Sequence, residues 1–431
     1  MHIYFSGIGG AGVGPLALIA HQAGFTVSGS DKQDSNYLAY LRTHGVDDIH
    51  VGQAYDQIEG VHARTPIDWF VYTSALPIEH PDAPELQFCE DHGIKHSKRD
   101  DFLNFLLDKK QLKLIAVAGT HGKTTTTAMA IWLFKQLGLP ISYSVGAKLG
   151  FGEMGEYDAN SEYFVYEADE FDRNFLAFTP HFSLITGIDW DHPDIYPTRE
   201  DYDGAFKQFL SGSEQALLWQ DDARRLNIVD SKHTHIIDER STEIDTRLSL
   251  PGHVNRLNAW AVAHAVQKLT GRPLKELLSK LNQFPGVSRR FEQIVPHIYS
   301  DYAHTPPKIR GALQLAHEVA GQNVVVVYEG LHNTRQHFIK DELRHLFDSA
   351  KQLYIVPSYL AREDPDLALL SPKELKGLLD PEMQERTTPS ALDNGLAEAI
   401  RGHAESGDLV LVLSAGGGGS LDEWLRREFA A

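Results

Sequence analysis

Apolar runs that read as strands alternate with amphipathic stretches that read as helices along nearly the whole chain. The series opens HIYFS, PLALIAHQAG, TVSGSD, NYLAYLRTHG, DWFVYTSA. Such alternation leaves few architectures open, because a strand followed by a helix packs back onto its sheet as a right-handed parallel crossover. A second cycle begins at LKLIAVAG and includes YFVYEAD and FSLITGI; a third begins near HIYSDYAH and includes NVVVVYEG, KQLYIVPS and DLVLVLSAGG. At 431 residues the chain also exceeds the size at which a single core stops growing. Three α/β units in series are expected. Their seams fall at LDKKQLK and at NQFPGVSRR, where a Pro-Gly pair interrupts the pattern, giving domains 1–108, 109–285 and 286–431. The segment 211–250 is polar and weakly patterned, and no short-period repeat is evident.

Two glycine-rich turns sit where a strand gives way to a helix. The first, SGIGGAGVG, carries G-x-G-x-x-G at Gly7, Gly9 and Gly12, with Asp31 at the end of the next strand-like run. That layout is a dinucleotide fingerprint, but its glycines cradle any diphosphate and its acid holds any ribose or base. The second, VAGTHGKTTTT, is a shortened form of the G-x-x-x-x-G-K-[ST] loop, because Val117 stands where the longer pattern needs glycine. Backbone N–H groups at a helix start, the Lys123 ammonium and the Thr124 hydroxyl together suit a nucleotide phosphate and its metal ion. Two phosphate sites in two domains suggest a nucleotide-linked substrate at one and a consumed nucleotide at the other.

Acids gather after the lysine loop. YFVYEADEFD supplies Glu167, Asp169, Glu170 and Asp172, and GIDWDHPDIY supplies Asp189, Asp191, His192 and Asp194. Strand C-termini of an α/β sheet collect where ligands bind, and hard carboxylate oxygens there suit magnesium bridging phosphates. Glu167 and His192 are the candidates; Asp169, Asp172 and Asp194 read as solvated acids.

Composition excludes other classes. Lysine and arginine number 40 against 59 acids, a formal charge of −19 with no dense basic run, so neither nucleic acid nor an anionic membrane is an expected partner. The single Cys89 forms no internal disulfide and reads as a structural thiol. The chain opens directly on MHIYFSG, and no apolar run approaches the roughly 20 residues that span a bilayer. A reducing cytoplasm is the expected setting. Zinc spacing and a G-x-S-x-G elbow are absent. A nicotinamide oxidoreductase built on the first loop would leave the lysine loop and the acids unexplained. A nucleotide-binding scaffold without catalysis would leave Lys123, Thr124 and Glu167 idle.

From end to end the chain resembles the Mur ligases, ATP-dependent amide-forming enzymes of peptidoglycan synthesis. The likeness rests on GIGGAG, SGSD, AGTHGKTTT, YEADE, DWDH, LPGHVNRLNA, SRRFE and SDYAHTP, in that order. It implies a Rossmann-like N-terminal domain for the UDP-sugar and a central P-loop ATPase domain. A Rossmann-like C-terminal domain would close over the site with the incoming amino acid. Carried over residue by residue, it implies ATP contacts from Gly119, Thr120, His121, Gly122, Lys123, Thr124 and Thr125. Asn255 and Asn258 would lie near adenine, Asp301 at the ribose and Arg290 at the γ-phosphate. Thr124, Glu167 and His192 would hold Mg2+, and Lys123, His192 and Arg290 would be catalytic. Gly7, Gly9, Gly10, Ala11, Gly12, Asp31 and Ser74 would serve the UDP-sugar, and His304, His332 and Arg335 the amine substrate.

Within the family, GIGGAG, SGSD and Thr334-Arg335 favour the branch that joins L-alanine to UDP-N-acetylmuramate. Glu329 with Asn333-Thr334, DWDHPDIY and SAGGGG point to the branch that joins a murein tripeptide to the same sugar. The alanine branch is preferred, as a monomer or homodimer. The chain departs from it where Ala303-His304-Thr305 replaces two adjacent histidines, where His332 replaces an arginine, and in a short segment after Leu210. Lys207, near a position that other members carbamylate, reads as an exposed helical lysine.

Overall fold

The structure is a computed structural model that describes residues 1–430 except 74–75, 77–79, 81, 191–194 and 361–362. The chain forms two compact units, Met1–Leu248 with Leu257–Phe284, and Ser249–Arg256 with Pro285–Ala431. Three sheets supply the framework, two in the first unit and one in the second.

The first sheet has five strands in the order Asp48–Val51, Thr26–Asp31, His2–Ser6, Trp69–Tyr72, Lys95–Lys98. All its pairings are parallel. Chain order reverses beside His2–Ser6, so the turn after that strand opens at a switch point, the place where such sheets bind ligands.

The second sheet runs Thr234–Ile237, Gln215–Trp219, Phe182–Ile185, Lys113–Ala118, Tyr163–Glu167, Ser142–Ser144, Gly155–Glu156. Its central strand, KLIAVA, is buried from its second residue onward, as a strand covered on both faces must be. Its last pairing is antiparallel, a departure from the wholly parallel sheets expected of the alternation. A two-residue strand needs no crossover helix, so a short return suffices.

One hydrophobic core runs from the first sheet into the second. Ile3, Phe5, Phe102, Leu106, Ala116, Tyr166, Phe175 and Phe206 belong to the same cluster. The helix Arg99–Lys110 lies at this junction: Phe102 packs edge-on against Phe5 and Trp69. Polar ties add to it, with Lys98 donating to Asp172 at 3.0 Å and Lys110 to the Ala23 carbonyl at 2.7 Å.

The third sheet runs Glu292–Val295, Ile298–Asp301, Leu409–Leu413, Val324–Leu331, Gln352–Tyr359, Thr387–Pro389. It is parallel except for the edge hairpin Glu292–Val295 with Ile298–Asp301. Val324–Leu331 is buried along its full length. The weakly patterned 211–250 segment contains strands Gln215–Trp219 and Thr234–Ile237 and helices Gln220–Leu226 and Glu243–Arg247. No helix among the described residues is long and apolar enough to cross a membrane.

Candidate functional site

The lysine loop links the central strand Lys113–Ala118 to the helix Lys123–Gln136. Gly119 has φ of +139°, and a side chain there would collide with Thr186 and the Gly187 carbonyl at the end of the neighbouring strand. Gly122, at φ +78°, is the N-cap and offers no side-chain cap. The helix start is therefore left without a side-chain cap, the arrangement from which first-turn N–H groups can meet an anion.

Thr120 faces inward. Its hydroxyl donates to the Asp189 carbonyl at 2.6 Å, accepts from the Asp189 N–H at 2.8 Å and meets the Tyr202 hydroxyl at 2.8 Å. These bonds fasten the loop to the chain after Phe182–Ile185. Thr186 adds a bond to the His121 carbonyl.

Lys123 reaches back over the loop to the Gly119 carbonyl at 2.7 Å and to Glu170 at 2.6 Å, with Asp169 at 4.0 Å. Burial works against the ammonium, but Glu170 and Asp169 outweigh it and hold Lys123 above the ordinary lysine value. Glu170 is itself 1% exposed, and burial pushes its carboxyl up to about 7 despite Lys123. Thr124 donates to Glu167 at 2.6 Å, and the other Glu167 oxygen accepts from the Gly146 N–H at 2.9 Å. Two hard oxygens thus meet beside the first helical turn, a donor set suited to magnesium that also binds phosphate oxygens. No cluster of three histidine, cysteine or acidic side chains suited to a metal occurs among the described residues. His192, with Asp191 and Asp194, lies outside them. Asp172 pairs with Lys98, and Asp189 with Arg199 at 2.9 Å, so neither is directed at the loop. Asn258 is buried against Gly122, whose added Cβ would approach its side-chain nitrogen to 3.0 Å.

The first glycine loop is built differently. Gly7, at φ +77°, starts a turn whose N–H, with that of Ile8, bonds the Ser30 carbonyl. Asp31 accepts from the Gly9 N–H at 2.8 Å, so the acid closes the loop as well as facing it. Gly10 bonds back to the Gly7 carbonyl at 3.0 Å, Ala11 and Gly12 lead on, and the helix Gly14–Gln22 follows. A small polar cavity at this edge is lined by Ser6, Gly7, Asp31, Lys32, Gln53 and Thr73. Ser74, the remaining residue expected here, lies outside the described residues.

In the second unit, Arg290 stacks on Tyr302 with its guanidinium carbon 4.7 Å from the ring centre. Its neighbours Arg289 and Phe291 both have positive φ, 57° and 49°. Asp301 fixes this turn by accepting from the Phe291 N–H at 2.7 Å and the Ala303 N–H at 2.8 Å. Burial raises its carboxyl, with Arg290 opposing. His304 is 7% exposed and pushed down to about 3 by burial, with Lys308, Arg335 and Arg290 adding positive charge. It is a neutral imidazole among cations. His332 precedes the helix Asn333–Leu343, which carries Arg335, and lies 3.6 Å from Glu363. Glu329 is buried and holds Ser414 at 2.6 Å and the Leu421 N–H at 2.9 Å, a clamp within the sheet. Asn255 donates to the Pro251 carbonyl at 2.9 Å. A larger cavity of about 560 Å3, lined in part by Tyr354, Lys373 and Ser390, contains none of the expected site residues.

Three family models match in succession: the Mur ligase family catalytic domain over residues 2–111, the Mur ligase middle domain over 117–237, and the Mur ligase glutamate ligase domain over 289–416. A UDP-N-acetylmuramate--L-alanine ligase of Clavibacter sepedonicus is 33% identical across 84% of this chain and 80% of its own. The chain belongs to the Mur ligase family. A ligase of the same description from Renibacterium salmoninarum is 31% identical over 96% and 93% of the two chains. Among solved structures, the UDP-N-acetylmuramate-alanine ligase of Thermotoga maritima superposes with a TM-score of 0.76 at 25% identity, covering 99% of this chain and 98% of that one. A murein peptide ligase from Psychrobacter arcticus shares the fold, with a TM-score of 0.65 at 21% identity over 100% and 99% of the chains.

As a Mur ligase, the chain carries its lysine loop in the second of three α/β domains. Two features escaped the sequence. Glu170 stood among four acids with nothing to single it out as the partner of Lys123. The inward turn of Thr120 depends on Tyr202 and Asp189, far away in sequence.

Proposed function

We propose that this Mur ligase joins L-alanine to UDP-N-acetylmuramate, consuming ATP and releasing ADP and phosphate. The observation that carries the reading is the meeting of Lys123, Thr124 and Glu167 at one glycine loop. End-to-end likeness to ligases of that description supports it. The UDP-sugar domain is assigned to residues 1–108, the ATP domain to 109–285 and the amino-acid domain to 286–431.

A carboxylate is a poor acyl donor, and phosphorylation by ATP converts it to an acyl phosphate that an amine attacks. The chain supplies charge and position, not a covalent nucleophile. The loop N–H groups and Lys123 take the phosphates, so Lys123 exchanges Glu170 for phosphate oxygens. Thr124 and Glu167, with His192, would hold magnesium, which when bound neutralises phosphate charge. Arg290, Asp301, Asn255 and Asn258 are assigned to the nucleotide. His304, His332 and Arg335 are assigned to the amine substrate, where a His304 held neutral by burial and neighbouring cations can accept a hydrogen bond. The cytoplasm, where ATP and UDP-sugars are available, is the proposed setting.

Phosphate release from ATP, with magnesium and UDP-N-acetylmuramate present, tests the reading. L-alanine, glycine, L-serine and L-alanyl-γ-D-glutamyl-meso-diaminopimelate are offered in parallel. Release with alanine alone is expected. Release with tripeptide alone moves the protein to the recycling branch, and silence with every amine overturns the assignment.

A further inference from the structure

The Gly7–Gly12 loop contains no cation: its sequence is SGIGGAGVG. Backbone N–H groups and a helix dipole answer a diphosphate only in part. A guanidinium arrives from elsewhere in the same sheet. All five strands are parallel, so the residue after the last strand and the loop after the first share the C-terminal edge. Arg99 is that residue, following Lys95–Lys98 and opening the helix Arg99–Lys110.

Its side chain is 17% exposed and lies over Gly12. A methyl group at Gly12 would overlap Nη1 and come within 3.0 Å of Cζ. Gly12 is not among the positive-φ glycines, so the arginine head, and not backbone conformation, excludes a side chain there. The adjacent carboxylate pairs with the guanidinium only as an ion pair: Asp100 Oδ1 is 3.6 Å from Nε, beyond hydrogen-bond distance. Both Nε and Asp100 Oδ1 are buried without a hydrogen-bond partner among the described residues. A guanidinium carries five donors in a planar fork, and such a group withdrawn from water needs acceptors. Phosphate oxygens match that fork in pairs.

We propose that Arg99 is a substrate-binding residue whose guanidinium clamps the diphosphate of the nucleotide-sugar against the Gly7–Gly12 loop. The inference rests on reading that loop as the nucleotide-sugar site. The substrate's second anion, its carboxylate, is the competing occupant; the seat of the guanidinium on Gly12 favours the diphosphate.

The test compares UDP, UDP-N-acetylglucosamine and UDP-N-acetylmuramate binding by calorimetry, using the full-length wild type and the variants Arg99→Met, Arg99→Lys and Gly12→Ala. Arg99→Met is expected to weaken all three by the same factor, about ten- to a hundredfold, as the loss of charged hydrogen bonds implies. Gly12→Ala keeps the arginine but displaces its head, and is expected to reproduce that pattern. Arg99→Lys keeps the charge without the fork; it should raise KM for the sugar nucleotide while changing kcat little. It also answers the question should Arg99→Met fail to fold. Unchanged affinities in Arg99→Met and Gly12→Ala overturn the inference. So does a loss confined to UDP-N-acetylmuramate, which alone of the three carries the carboxylate. A wild type that binds none of the three instead removes the reading of the loop itself.

Discussion

The two glycine loops, both assigned to phosphate groups, are built in opposite ways. At Gly119–Thr124 the cation is inside the motif, and its counter-charge, Glu170, is buried behind it. At Gly7–Gly12 the motif is wholly uncharged, and the nearby acid, Asp31, ties down a backbone N–H. The lysine loop is also the more rigidly held, since Gly119 abuts the backbone of the next strand whereas Gly9 abuts the Asp31 and Leu38 side chains. A loop that positions a reacting phosphate must hold its charge in one place. A loop that retains an unreacting diphosphate can use backbone groups and a borrowed side chain.

The largest expected effect separates the loops by function. Lys123→Ala should lower kcat by about 10³-fold or more, the scale for removing a charge-stabilising group from phosphoryl transfer. UDP-sugar affinity should be retained. Phosphate release and calorimetry on the same preparation check both halves, and normal turnover in this variant would break the comparison at its root.

Rigidity is tested next. Gly119→Ala forces a side chain into φ +139° against Thr186 and the Gly187 carbonyl, and should cost about 3 kcal/mol. Gly9→Ala meets a carboxylate that can yield, and should cost about 1 kcal/mol. Urea unfolding of the two variants gives the difference; equal losses would mean that both loops are equally fixed.

Thr120→Val should destabilise by about 2 kcal/mol, because the buried Tyr202 hydroxyl and the Asp189 backbone groups lose their partner. KM for ATP should rise as the loop loosens, with UDP affinity unchanged.

The smallest effect is a slope against pH. Glu170 titrates near 7 in the fold and near the ordinary 4.5 when unfolded, so the folded state holds the extra proton between those values. Its contribution to stability therefore falls as pH rises through that window, by about 1 kcal/mol between pH 5.5 and 6.5. Glu170→Gln should remove that part of the slope, read as the change in unfolding midpoint across the interval.

The strands at the middle of each sheet were legible because burial on both faces writes an unbroken apolar run, as in KLIAVA and LVLVL. The edges were not. KHSK forms an edge strand on backbone pairing with Trp69–Tyr72 and carries no apolar signal. Lys95–Lys98 also shows how such an edge is kept from pairing further, with a lysine at each end. The same division holds in the site. Gly119, Lys123 and Thr124 lie in one short loop, and their chemistry follows from spacing alone. The inward hydroxyl of Thr120 and the arginine head on Gly12 depend on residues brought together by the sheet, which no local pattern encodes.

The core that passes unbroken from the first sheet into the second carries a thermodynamic consequence. Phe102 and its neighbours belong to both layers, so neither sheet can lose its packing without stripping the other. The loops at Gly7 and Gly119 then share one cooperative melting unit, and calorimetric traces should show them lost in a single endotherm. A ligand saturating either loop should raise the temperature at which both disappear, coupling the two through stability alone.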